Sequence, residues 1–156
     1  MLKRFIPVML ALPFLTGCAS SGLVHDKDYP RAVSVSGTEN KQVTFSFFSD
    51  GIDTVYAEGE GLEQALENAE LITGRPIFTG YTELVILDGS DSEETLEHLL
   101  RDWKISPDCT VTYSKNGREL LEENPAEVLT GQVRQAEKQG LVPESGIITV
   151  LGELLR

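Results

Sequence analysis

Leu84-Val85-Ile86-Leu87 is an unbroken apolar run, and a strand with no polar face fits only where both of its sides are covered. It predicts a strand placed centrally in a sheet. Upstream the pattern changes to a period of two. Val33 and Val35 alternate with Ser34 and Ser36, then Val43, Phe45 and Phe47 alternate with Thr44 and Ser46, which predicts two half-buried strands. Gly37-Thr38-Glu39-Asn40 joins them, and Asp50-Gly51 turns the chain into a third strand around Thr54 to Glu58, making a three-stranded meander.

Helical spacing follows. Leu62, Ala65, Leu66, Ala69 and Ile72 form one stripe, with Gly74 as its C-terminal stop. Ser90-Asp91-Ser92-Glu93 offers N-cap and capping-box chemistry to a helix carrying Leu96, Leu99, Leu100 and Trp103 on one face. A strand from Cys109 to Ser114 comes next, with Cys109, Val111 and Tyr113 on one side. Asn116 caps a short helix through Leu121. Asn124-Pro125 opens a longer one with Val128, Leu129, Val133 and Ala136, closed by Gly140. The tail reads two ways: Ile148, Leu151 and Leu155 suit a helix capped by Ser145, whereas Ile147-Ile148-Thr149-Val150 suits a strand. The expected fold is α/β (α+β), a mixed, largely antiparallel sheet of about five strands packed with three to five helices. At 156 residues and 40% hydrophobic, the chain has room for one such domain, over residues 31–156.

The first 17 residues read as a leader. Lys3 and Arg4 precede an apolar stretch from Phe5 to Leu15, too short to span a bilayer as a mature helix. Leu15-Thr16-Gly17-Cys18 resembles a bacterial lipobox, in which the cysteine takes a diacylglyceryl group and becomes the first mature residue. Two or three acyl chains hold a protein firmly, since each buried methylene contributes about 0.8 kcal/mol. Residues 18–30, with Ser20, Ser21, Gly22, Asp26, Asp28 and Pro30, read as a lipid-anchored tether. The expected place is the extracytoplasmic face of a cell membrane.

Asp and Glu number 25 against 13 Lys and Arg, a formal net charge of −12. Such a body is unsuited to gripping nucleic acid and is repelled by anionic headgroups, so attachment falls to the lipid on Cys18. Catalytic candidates are few. His25 lies in the tether and His98 beside Glu94, Glu97 and Arg101, neither with the neighbouring ligands that zinc needs. Cys109 alternates inward and has no histidine base. Asp88 to Ser92 lacks the glycine and terminal glutamate of an EF-hand loop. Gly59-Glu60-Gly61 lacks a third glycine or a lysine, and Glu58 and Glu60 oppose a phosphate. No metal or other cofactor and no enzymatic activity are expected.

Several short blocks carry a resemblance. Glu60-Gly61-Leu62, Ala65, Arg75-Pro76-Ile77-Phe78-Thr79-Gly80-Tyr81 leading into Leu84 to Leu87, and Leu99-Leu100-Arg101-Asp102 before a strand resemble the N-terminal domain of the Ger(x)C spore germination lipoproteins, the C subunits of nutrient germinant receptors. The similarity runs in register from about Ala32 to Gly140. It implies a non-enzymatic lipoprotein that assembles with membrane-embedded receptor subunits on the inner spore membrane. Two positions depart: Ala19-Ser20-Ser21-Gly22 follows Cys18 where the family has Trp-Asp, and Tyr81 stands for the family's histidine. The family continues for two further domains, whereas this chain stops at Arg156, which reads as a shortened paralogue, a truncated reading frame or a protein reused elsewhere. The alternative is an unrelated lipoprotein binding module for a solute or envelope partner.

Two expectations concern particular side chains. Arg75, Phe78 and Gly80, with Arg101 and Asp102, are expected to be structural, Phe78 as an inward plug below the entry to the central strand. Ile148, Leu151 and Leu155 either fold back on the core or leave an apolar strip for a partner.

Overall fold

The computed structural model describes residues 26–49 and 53–156; the leader, Cys18 and the Asp50-Gly51 turn lie outside them. Five strands form one mixed sheet: β1 (Pro30–Ser36), β2 (Lys41–Phe47), β3 (Thr54–Gly59), β4 (Leu84–Leu87) and β5 (Thr110–Tyr113), in the order β3-β2-β1-β4-β5. The expected meander is there, β1 and β2 antiparallel and β2 and β3 antiparallel. β4 runs parallel to β1, and β5 parallel to β4. Parallel neighbours need crossovers. These contain α1 (Leu62–Thr73) and α2 (Ser92–Arg101), and the chain continues through α3 (Gly117–Glu123), α4 (Ala126–Lys138) and α5 (Ile147–Leu154).

All four residues of β4 are buried, so the apolar run is covered on both faces. On one face Val33, Val35, Phe45, Val85, Leu87 and Val111 meet Ala65 and Ala69 of α1, Leu96 and Leu99 of α2, and Ile147 of α5. On the other, Ala32, Leu84 and Ile86 meet Leu121 of α3 and Ala126 and Leu129 of α4. The second face is where the alternation misleads. Ser34, Thr44 and Ser46, expected to face water, are buried. Their small side chains let α3 approach closely: a Cβ on Gly117 would come within 2.4 Å of Ser34 Oγ and 2.9 Å of Ile86 Cγ2.

Helix boundaries follow the pattern better than helix caps do. Gly74 ends α1 in the left-handed region at φ 72°, as expected. Ile72 of the α1 stripe is exposed, and so is Val128 of α4, because each falls at the outer border of its stripe. The starts of α2, α3 and α5 have no side-chain cap hydrogen bond. At α2 the residue before the helix, Asp91, is itself left-handed at φ 48°, and its carboxylate lies 3.3 Å from Lys41 Nζ. Asp88 holds that loop instead, accepting from Gly37 N at 2.9 Å and Ser90 N at 2.8 Å. Burial alone raises its pKa, but these hydrogen bonds outweigh burial and hold the carboxyl below its ordinary range.

The tail takes the helical of its two expected forms: Ile147 to Val150 open a helix rather than forming a strand, and only the residue before them pairs with the sheet. Gly146 bridges Thr110 antiparallel, with Val111 N donating to Ser145 O at 2.6 Å and Ile147 N to Cys109 O at 2.9 Å. The chain then turns into α5, seated by Ile147 with Val150 and Leu151. Leu151 is therefore a core contact rather than part of a free strip, while Ile148 and Leu155 stay exposed.

Cys109 lies at that junction, buried, and burial pushes its thiol up to about 12. The neutral thiol is a poor nucleophile at neutral pH. Folded protein should react with a maleimide at Cys109 at least tenfold more slowly at pH 8 than protein unfolded in guanidinium; equal rates, read by peptide mass spectrometry, would contradict the burial.

Candidate interaction site

The connection from α1 into β4 places most of the motif residues. Asp28 bridges Ile77 in parallel, donating its N–H to Pro76 O at 2.9 Å and accepting from Phe78 N at 2.9 Å. Ile77 N also donates to Glu70 Oε1 at 2.8 Å. An extended backbone alternates its side chains, and here Ile77 is the buried one, with Phe78 38% exposed. The expectation of Phe78 as an inward plug is thus corrected by one residue: Ile77 fills the core, and Phe78 lies on the rim. Thr79 then turns inward, and its hydroxyl donates to Trp103 O.

On the rim, three rings touch one another. The Phe78 centroid is 5.9 Å from that of Tyr29 and 5.4 Å from that of Tyr81, both edge-on at 66°, and Tyr29 and Tyr81 are 5.7 Å apart. Edge-to-face pairs at such spacing add about 0.5–1.5 kcal/mol beyond the area they bury. Gly80 makes room for this arrangement. A Cβ there would come 2.7 Å from Phe78 Cζ, so its role is close approach rather than an unusual backbone angle. Arg75 reaches back to Asp28 at 3.6 Å. The Arg-x-x-Phe-x-Gly block therefore encodes a single local unit: a charge tying the turn to the entering chain, a ring laid over it, and a residue with no side chain beneath the ring.

Phe48, just past β2, extends the apolar rim. A shallow groove of about 430 Å³ is lined by Tyr29, Phe48, Tyr81 and Glu83. Cations lie over the outer rings, Arg31 at 4.4 Å from the Phe48 centroid and Lys27 Nζ at 5.5 Å from that of Phe78. Arg31 also pairs with Glu127 at 2.9 Å and lies 3.6 Å from Glu83. Sequence reasoning missed Tyr29 and Phe48 because each lies just outside an alternating strand. Their signal was position, an aromatic at each of two neighbouring strand ends.

Arg101 and Asp102 lie elsewhere, at the end of α2. They pair side by side, Arg101 Nη2 to Asp102 Oδ2 at 3.0 Å, which raises the arginine's pKa and holds the Asp102 carboxyl down. Asp102 Oδ2 is also 3.1 Å from His98 Nδ1. Glu63 Oε1 stands 2.9 Å from His98 Nε2, yet that nitrogen makes no hydrogen bond, so the two groups lie close without hydrogen-bond alignment. Among the described residues no group of three His, Cys, Asp or Glu is arranged to hold a metal ion.

The coupling of Phe78 and Gly80 is measurable. Gly80→Ala should cost about 1 kcal/mol in chemical denaturation by forcing the ring aside, and nearly nothing when Phe78 is already Ala. Equal costs in the two backgrounds would show that the ring does not rest on Gly80.

Searches of curated proteins and of solved structures return no match. The family model described as spore germination protein N-terminal domain matches residues 25–156. That span takes in every strand and helix described and the whole aromatic rim, and the chain belongs to this spore germination family, as an N-terminal domain of the Ger(x)C type.

Proposed function

We propose that the protein is a membrane-anchored, non-catalytic component of a spore germinant receptor or a related assembly, held on the extracytoplasmic face by lipid on Cys18. The family match over residues 25–156 carries this proposal. The Leu15-Thr16-Gly17-Cys18 sequence supports the anchor, since a charged start, an apolar middle and a cysteine after small residues occur in the order a lipoprotein leader requires. A role in assembly rather than catalysis accords with two side chains. Cys109 is buried with its thiol pushed up to about 12, and His98 is occupied between the carboxylates of Glu63 and Asp102. The partners are membrane-embedded receptor subunits, met in part by the exposed Ile148 and Leu155 at the C-terminal helix.

Fractionation of sporulating cells tests the proposal. The mature protein should partition with membranes, begin at a diacylated Cys18 by mass spectrometry, and move to the soluble fraction or stay unprocessed as Cys18→Ala. Spores carrying Cys18→Ala should respond more slowly to nutrients. An unmodified Cys18, or a nutrient response unaffected by removal of the whole protein, would overturn it.

A further inference from the structure

The two ends of the sheet differ in chemistry. Because β4 is parallel to β1 and β2 is antiparallel to it, the start of β1, the end of β2 and the start of β4 lie together. The aromatic rim is at that end, and the described chain enters there at Asp26. Lys27, Arg31 and Arg75 stand among its rings and acids. The other end carries the starts of α1 and α2, where Glu60, Glu63, Asp91, Glu94 and Glu97 line one polar groove with Lys41, His98 and Arg101. The rim's acids Asp28, Glu83 and Glu127 are paired with Arg75 and Arg31, so the end where the chain enters combines exposed aromatic surface with paired charge.

We infer that the aromatic end, Tyr29, Phe48, Phe78 and Tyr81, rests in the headgroup region of the bilayer and sets the orientation of the domain. The inference rests on the Cys18 anchor proposed above and adds to it a second contact. Seven residues lie between Cys18 and Asp26, and the eight Cα-to-Cα steps reach at most roughly 28 Å. The end nearest the anchor is therefore the one the bilayer meets first. Aromatic rings with one wet edge partition to the membrane interface, and arginine and lysine beside them keep their charges at headgroup level. Tyr81 is 62% exposed and Phe48 43%, so insertion needs no refolding. The acidic end, repelled by anionic lipid, points outward. The acyl chains hold the protein, and the rim orients it.

Hydroxyl-radical footprinting separates this inference from the anchoring proposal. The chain from Cys18 onward retains every described residue. Buried Cys109 leaves Cys18 as the thiol to couple to a maleimide lipid, so the anchor is supplied whether or not cells add one. On phosphatidylcholine–phosphatidylglycerol vesicles, oxidation of Tyr81 should fall at least threefold relative to the same chain coupled to a short soluble maleimide. Tyr113, exposed at the far end of β5, should be oxidised at an unchanged rate. Phe78→Ser with Tyr81→Ser should leave the vesicle-bound domain without a fixed orientation, so that protection of Tyr29 is lost. Unchanged oxidation of Tyr81, or equal protection of Tyr81 and Tyr113, would overturn the inference. Protection found only in native membranes, and absent on pure lipid, would also overturn it and assign the rim to a protein partner. Absence of native lipid on Cys18, with Tyr81 protected on the vesicles, would refute the anchor alone.

Discussion

β1 and β4 lie side by side with apolar residues against both faces, and neither strand can be solvated on either side without exposing its core. This requirement explains the layering. One face is closed by α1, α2 and α5 and the other by α3 and α4. Burial of each Val, Leu or Ile side chain contributes about 1.5–3 kcal/mol, and the paired strands bring Val33, Val35, Leu84, Val85, Ile86 and Leu87 together. The parallel pairing also requires the chain to leave β3, cross through α1 and return to the end where β1 began. The Arg75 to Tyr81 connection is the last part of that return. Its bridge to Asp28 ties it to the residues entering β1, so the aromatic rim is a consequence of closing the sheet.

Much of the fold was legible because burial on one face leaves a period in the sequence. The meander, the β4 run, the α1 stripe and its Gly74 stop all follow from spacing and turn chemistry. Failures came where a second layer hid the period. Ser34, Thr44 and Ser46 read as solvent-facing because hydroxyls are polar, yet their small size is what permits α3 to pack against them. Phe78 read as a plug because it is the largest apolar residue in its loop. The Asp28 bridge fixes the alternation there, and that bridge joins residues far apart in sequence. Caps failed for a related reason: Asp91 and Ser145 are engaged by Lys41 and Glu137, residues no local pattern brings near them.

The candidate site was half legible. Arg75, Phe78 and Gly80 stood out as a block, and the structure supplies its logic in the ring over Gly80. Tyr29 and Phe48 belong to the same surface but come from other strands, so only the strand order assembles them. The cluster of touching exposed aromatics at one end and the polar, acid-lined groove at the other give the domain a direction. Direction matters if the domain is anchored as proposed. A lipid on Cys18 would fix its distance from a membrane without fixing orientation, and the rim of rings would supply the missing constraint.

Amide hydrogen exchange tests most directly whether the doubly covered strands hold the fold together. Exchange through global opening gives the slowest amides, while local openings release the periphery first. The account predicts that Val33 to Val35 and Leu84 to Leu87 are the last to exchange, with free energies converging on that of global unfolding, and that β3 and α5 exchange earlier. Exchange of the β4 amides as fast as those of β3, or protection centred on α5, would show that the stability of the domain lies elsewhere.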